Sequence, residues 1–184
     1  MDTLSKTRRA CKNDLKARYL LEKGRNFTND ASVHLESIEF ELRKNNKKAA
    51  EFILNKSLQV FDNGRLWAYA VNFAEYKYKK TVVATGLEKC PDCPYLSFEI
   101  AKLFQNEKKY SKARGWYEKA LAKAEWLGDV WIWYYKMEMF LGETENADKI
   151  LERSLAADIT KGKEWKACRS DETNSEIIKK SISN

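Results

Sequence analysis

The stretch DVWIWYYKME, residues 129–138, sets four aromatic rings in five positions: Trp131, Trp133, Tyr134 and Tyr135. A cluster of this kind stacks bases, cages a cation, or packs one helix on its neighbours. Trp131, Tyr134, Tyr135 and Glu138 stand at i, i+3, i+4 and i+7, so they share one face of a helix. Trp133, Met137 and Phe140 extend a second apolar face. A helix apolar on two sides needs a neighbour on each, as a helix inside a stack has.

The stretch does not stand alone. Five aromatic-led segments recur: 31–44, 64–76, 93–105, 129–141 and 163–172, led by His34, Trp67, Tyr95, Trp131 and Trp165. Seven residues on come Glu41, Ala74, Lys102, Glu138 and Glu172. Between them runs a second series: KARYLLEKG (16–24), KKAAEFILNKSL (47–58), KKTVVATGLEK (79–89), SKARGWYEKAL (111–121) and NADKILERSL (146–155). Aligned on a small residue these give Ala17, Ala49, Thr81, Ala113 and Ala147, at intervals of 32, 32, 32 and 34. That is the period of a helix-turn-helix repeat. A small residue there lets a neighbouring backbone approach closely.

The joints agree with this division. FTND (27–30) offers caps before the first aromatic helix, and DNG (62–64) is a turn before Trp67. CPDCP (90–94) breaks the chain before Tyr95, because proline cannot continue a helix. Asp129 and Thr144 are the expected caps of the helices they begin, and TKGK (160–163) precedes Trp165.

Composition fits. Seven Gly and two Pro in 184 residues are too few for a turn-rich β-sandwich, and helix formers dominate. No apolar run approaches the ~20 residues that cross a bilayer, and MDTLSKTRRACK has no signal-peptide core. An intracellular protein is expected, with Cys11, Cys90, Cys93 and Cys168 as thiols. The expected fold is an all-α, right-handed α-solenoid of about five antiparallel helix pairs. One domain spans 1–184: a B-type helix and cap in 1–26, about four pairs in 27–160, and a closing repeat with a C-terminal helix in 161–184. Ile177, Ile178 and Ile182 would cover the last apolar face.

Net charge is +7, and its distribution matters more than its size. Residues 1–25 carry eight Lys/Arg against three Asp/Glu, whereas the 135 residues 26–160 carry twenty of each sign. A protein tracking a nucleic-acid backbone would spread its basic residues along the path. The basic N-terminal segment, with Arg8, Arg9 and Lys12, remains a candidate contact to RNA phosphate or to an acidic protein.

An A helix led by Trp with Glu seven on, then a B helix with a small residue, resembles the HAT repeat, the "half-a-TPR" unit of RNA-processing complexes. An ordinary TPR would add a Gly in helix A and a Pro closing helix B, and neither recurs. LWAYAVNFAEYKYKKTVVATGLEKC (66–90), YLSFEIAKLFQNEKKYSKARGWYEKAL (95–121), LGDVWIWYYKMEMFLGETENADKILERSL (127–155) and KGKEWKACRSDETNSEIIKKSI (161–182) resemble the C-terminal HAT repeats of the pre-mRNA-processing factor 6 family. The departures are His34 and Tyr95 for the leading Trp, and Ala74 and Lys102 for the Glu. The family's long N-terminal region and earlier repeats are missing. An excised domain or a reduced relative is the expectation.

That resemblance implies a nuclear, non-enzymatic scaffold holding spliceosomal tri-snRNP proteins together. Alternatives are a HAT scaffold of another machine, for 3′-end cleavage or rRNA maturation, and a direct RNA-binding module. No cofactor, membrane or small-molecule substrate is expected, and self-association through repeat ends is open.

Other motifs are weaker. Cys90-Pro-Asp-Cys93 could be half a zinc site or a redox pair, but only His34, Cys11 and Cys168 remain as further ligands, none in a second knuckle. The bland reading is a proline-broken turn. His34, the only histidine, occupies a leading repeat position, which favours packing. There is no phosphate loop, nucleophile elbow or H-E-x-x-H. Periodicity does not place Trp133 and Tyr135, so these two rings are candidate partner anchors.

Overall fold

The computed structural model describes residues 3–168 and 178, with side chains for 13–167 and 178. The described chain is built of α1 (Thr3–Phe27), α2 (Ala31–Arg43), α3 (Lys47–Leu58), α4 (Gly64–Phe73), a 3-10 turn at Tyr76–Tyr78, α5 (Lys79–Lys89), α6 (Pro94–Asn106), α7 (Tyr110–Lys123), α8 (Gly128–Leu141), α9 (Thr144–Ala156) and α10 (Lys163–Cys168). It is an all-α arrangement of packed helix pairs, of the TPR/HAT-like solenoid type. The helices fall into two compact units, Met1–Val82 and Val83–Asn184. No described helix is long and apolar enough to cross a membrane.

Three turns repeat the same device. Asn45, Lys108 and Gly142 follow α2, α6 and α8 with φ of 60°, 58° and 75°, in the left-handed region. The next N–H then reaches back five residues: Asn46 to the Glu41 carbonyl (2.9 Å), Lys109 to Phe104 (2.9 Å) and Glu143 to Glu138 (3.0 Å). These bonds satisfy carbonyls that a helix end leaves open and reverse the chain within a few residues. α2 packs on α3, α6 on α7, and α8 on α9 as a result.

The shared turn fixes the repeat register better than residue type does. Nine positions after Glu41, Phe104 and Glu138 stand Ala50, Ala113 and Ala147, and sixteen after stand Ser57, Ala120 and Ser154. All six are fully buried. Two expectations shift accordingly. The buried small residue of α3 is Ala50, while Ala49 lies half-exposed beside it. In α6 the leading position falls on buried Ser97, with Phe104 at the glutamate position, rather than on Tyr95 and Lys102. Thr81 is exposed and belongs to no such seam.

In Met1–Val82 the core gathers Leu35, Ile38, Ala50, Leu54 and Leu66, with α1 stacked on α2 and α3 on α4. Asp30 and Asn63 cap α2 and α4, accepting from the Ser32 N–H (2.8 Å) and the Arg65 N–H (2.9 Å). In Val83–Asn184 the core runs from Phe98 of α6 through Tyr117 and Leu121 of α7 to Trp131, Ile132 and Met137 of α8, and on to Ile150 and Trp165. Ile178 is buried in that core; Ile177 and Ile182 lie outside the described residues.

Two capping expectations are corrected. Thr144 is the first residue of α9, whose cap position is Glu143. Asp129 does not cap its own helix. Its carboxylate accepts from the Lys163 N–H (2.7 Å) and the Trp165 N–H (3.0 Å), closing the start of α10 against α8.

Candidate docking surfaces

Among the described residues the two buried glutamates, Glu41 and Glu138, are bonded between helices. Arg114 of α7 forks onto Glu138 of α8, Nε to Oε1 and Nη2 to Oε2, both at 2.8 Å. Arg18 of α1 makes the same fork to Glu41 of α2, at 2.7 and 3.0 Å. The hydrogen bond that it donates to Glu138 raises the Arg114 guanidinium above its ordinary value. Two-point forks of this kind fix orientation as well as charge. Each arginine directly follows an alanine of the small-residue series (Ala17, Ala113) and precedes its glutamate by 23 or 24 residues. A third fork, Arg153 to Glu118 (2.8 and 3.0 Å), joins α9 to α7 at the surface.

The opening aromatic stretch is mostly interior. Trp131 is buried and donates its Nε1–H to the Glu125 carbonyl at 2.8 Å. Tyr134 stacks on Tyr117 with centroids 5.2 Å apart and planes at 13°. Burial, with Glu118 next, pushes the Tyr134 phenol up to about 12. Tyr117 is raised further by its burial, and its hydroxyl donates to Gln105. Tyr135 is also buried, so it offers no ring to a partner. Trp133 is half-buried, with its Nε1–H on Glu164 (2.7 Å) and its ring beneath Lys102. Phe140, expected on an apolar face, is 80% exposed.

Of the other repeat positions, Trp165, Ala113 and Ala147 are buried, and His34, Trp67, Tyr95 and Ala17 are half-buried. His34 Nδ1 lies 2.8 Å from Ser57 Oγ. Ser57 donates its single hydroxyl proton to the Ile53 carbonyl at 2.7 Å, so His34 Nδ1 must carry the proton of that pair. Trp67 Nε1 is buried without a hydrogen-bond partner. The side chains of Arg8, Arg9 and Lys12 lie outside the described residues.

Cys90 and Cys93 are half-buried thiols, and Cys93 sits at the cap of α6 with Pro94 as its first residue. Among the described residues no group of three or more His, Cys, Asp or Glu is placed to hold a metal ion. Lysines lie over several of the outer rings: Lys119 over Trp116 (4.9 Å), Lys161 over Trp126 (5.1 Å) and Lys56 over Phe52 (4.5 Å).

Comparison with known proteins agrees with that architecture. The chain is 34% identical over 142 residues to Pre-mRNA-splicing factor prp1 of Schizosaccharomyces pombe, covering 77% of this chain and 16% of that protein. It is a relative of pre-mRNA-processing factor 6. Pre-mRNA-splicing factor 6 of Saccharomyces cerevisiae is 29% identical over 139 residues, 72% of this chain and 15% of its own length. Human Pre-mRNA-processing factor 6 is 32% identical over 96 residues, 52% of this chain and 10% of its own. The chain thus spans about a tenth to a sixth of the length of these curated relatives. No family model matches it.

Proposed function

We propose that the protein is a non-enzymatic scaffold of the pre-mRNA splicing machinery, acting in the nucleus by holding tri-snRNP proteins together. The observation that carries this is the 34% identity to a splicing factor across 77% of the chain. It is supported by a repeat architecture whose buried glutamates, Glu41 and Glu138, join one helix to the next. A stack of helix pairs exposes long surfaces and suits binding better than chemistry. The test is affinity purification of the tagged chain from nuclear extract, with mass spectrometry of what it retains. Enrichment of tri-snRNP proteins over a tagged control is expected. Their absence, with recovery of 3′-end cleavage or rRNA-maturation factors instead, would move the protein to another RNA-processing machine.

Direct RNA binding is the second reading, favoured by the surplus of five positive charges in residues 1–25. The lysines over Trp116, Trp126 and Phe52 occupy ring faces that bases would need. Filter binding against salt separates the two: a backbone-tracking contact weakens steeply as salt rises.

A further inference from the structure

Cys90 and Cys93 stand on either side of a two-residue turn, Pro91–Asp92, that leads from α5 into α6. Pro91 and Asp92 are exposed, and the two cysteines are half-buried at the shoulders of the turn. Both prolines of the chain lie here, Pro91 inside the turn and Pro94 as the first residue of α6. Each holds φ near the value that a tight turn or a first helical residue requires, which closes most other backbone paths to this segment.

The turn is held from both ends and from the side. The Cys90 N–H donates to the Gly86 carbonyl at 2.8 Å, in the last turn of α5. The Cys93 carbonyl accepts from the Ser97 N–H at 3.0 Å, in the first turn of α6. From α7, the Lys119 ammonium donates to the Pro91 carbonyl at 3.1 Å, and the Lys123 ammonium lies 3.9 Å from the Asp92 carboxylate. A turn of this length brings the Cα atoms of its flanking residues within about 7 Å. Disulfides span about 4.4–6.8 Å between Cα atoms, so a bond between these two thiols can close with the helices in place. Among the described residues no third metal-ligating side chain joins the pair.

We propose that Cys90 and Cys93 form a reversible dithiol–disulfide site that exchanges with small disulfides of the glutathione class. The thiolate of one cysteine attacks a sulfur of oxidised glutathione and expels one glutathione thiolate, leaving a mixed disulfide. The second cysteine thiolate attacks the protein sulfur of that mixed disulfide and expels the other glutathione. The two protein thiols thus give up two electrons and two protons, the S–S bond of the oxidant is cleaved, and both glutathiones leave as thiols. Excess reduced glutathione drives the same two steps backwards. The closed ring locks the turn that enters α6. This site is independent of the scaffold function proposed above.

The test equilibrates the full chain, as wild type and with Cys11→Ser and Cys168→Ser, in oxidised or reduced glutathione. Acid quenching, alkylation of the remaining thiols and peptide mapping by mass spectrometry then locate every bond. Oxidised glutathione should protect Cys90 and Cys93 together, linked to each other with no glutathione retained, and reduced glutathione should restore both thiols. Adding Cys93→Ser removes the thiol that closes the ring, so glutathione retained at Cys90 should rise at least about tenfold. Circular dichroism checks that each variant keeps its helices, and the wild-type map decides if one does not. Glutathione retained on both cysteines overturns the proposal. So do thiols that stay alkylatable in the folded chain while urea lets them oxidise, and a wild-type link from either cysteine to Cys11 or Cys168. Zinc held between two chains by these thiols, and blocking their oxidation, overturns it in favour of a metal half-site.

Discussion

Arg114 holds Glu138 by two parallel hydrogen bonds of 2.8 Å, with the carboxylate fully buried and the guanidinium about one-third exposed. The pair sits at the step from α7 to α8, so it ties one helix pair to the next. Removing Arg114 leaves the carboxylate buried without its charge partner. Arg114→Ala should therefore destabilise the protein by about 3 kcal/mol or more, from the uncompensated buried carboxylate. Replacing both at once, Arg114→Met with Glu138→Leu, should recover most of that loss. Urea unfolding of the two variants checks it. Equal losses in both would show that packing, not charge, dominates the seam.

The small-residue seam gives a sharper contrast, because neighbours differ. Ala50 is fully buried where α2 and α3 cross, and Ala49 is not. Ala50→Leu should cost about 1–3 kcal/mol by overpacking, while Ala49→Leu should stay within about 0.5 kcal/mol. Denaturation midpoints of the pair decide it. A larger loss at Ala49 would restore the even 32-residue spacing as the structural register.

How that register escaped the sequence is instructive. Trp131 and Trp165 announce their positions because only a large ring fills the seam there, and Ala113 and Ala147 stand among larger neighbours. Ala49 and Ala50 are chemically identical, so composition cannot choose between them. Ser97 hides the leading position of α6 because two aromatics, Tyr95 and Phe98, flank it. The turn that settles both cases is a matter of φ at Asn45, Lys108 and Gly142; Gly142 and, more weakly, Asn45 advertise it by residue type, and Lys108 does not. The helices and their pairing were thus legible in periodicity. The arginine forks and the cap that Asp129 gives to α10 depend on partners 23 to 36 residues away, which no local pattern reveals.

Lys108 carries a testable cost. Its φ of 58° is one that side chains other than Gly and Asn adopt unwillingly. Lys108→Gly should relieve about 1 kcal/mol of strain, offset in part by the freer unfolded chain. A small rise in melting temperature is expected. A fall would mean that the lysine side chain contributes more than its backbone loses.

Gly128 closes the far end of the second unit by bringing α8 against Trp165. A methyl group there would lie 2.5 Å from the indole Cδ2. Gly128→Ala should push Trp165 outward and cost about 1–3 kcal/mol. Faster limited proteolysis beyond residue 160 should accompany that loss. An unchanged cleavage pattern with unchanged stability would show that the indole shifts without leaving its site.

His34 sets the pH response of the first unit. Its imidazole is held below the ordinary value by burial first and by the Arg25 charge second, with Asp30 opposing weakly. A histidine whose folded value is depressed binds its proton more readily unfolded than folded. Its contribution is therefore fully present above the unfolded value of about 6.5, and it is lost as pH falls through and below that point. Protonation does not break the bond to Ser57, since Nδ1 already donates there. The penalty comes instead from placing a cation half-buried beside Arg25. Wild-type stability should decline between about pH 7 and pH 5 more steeply than that of His34→Gln, which carries no titrating group there. Urea midpoints across that range, compared as a difference between the two proteins, isolate the histidine from the carboxylates common to both. Parallel curves would mean that the ring is solvated enough to take its proton at no cost.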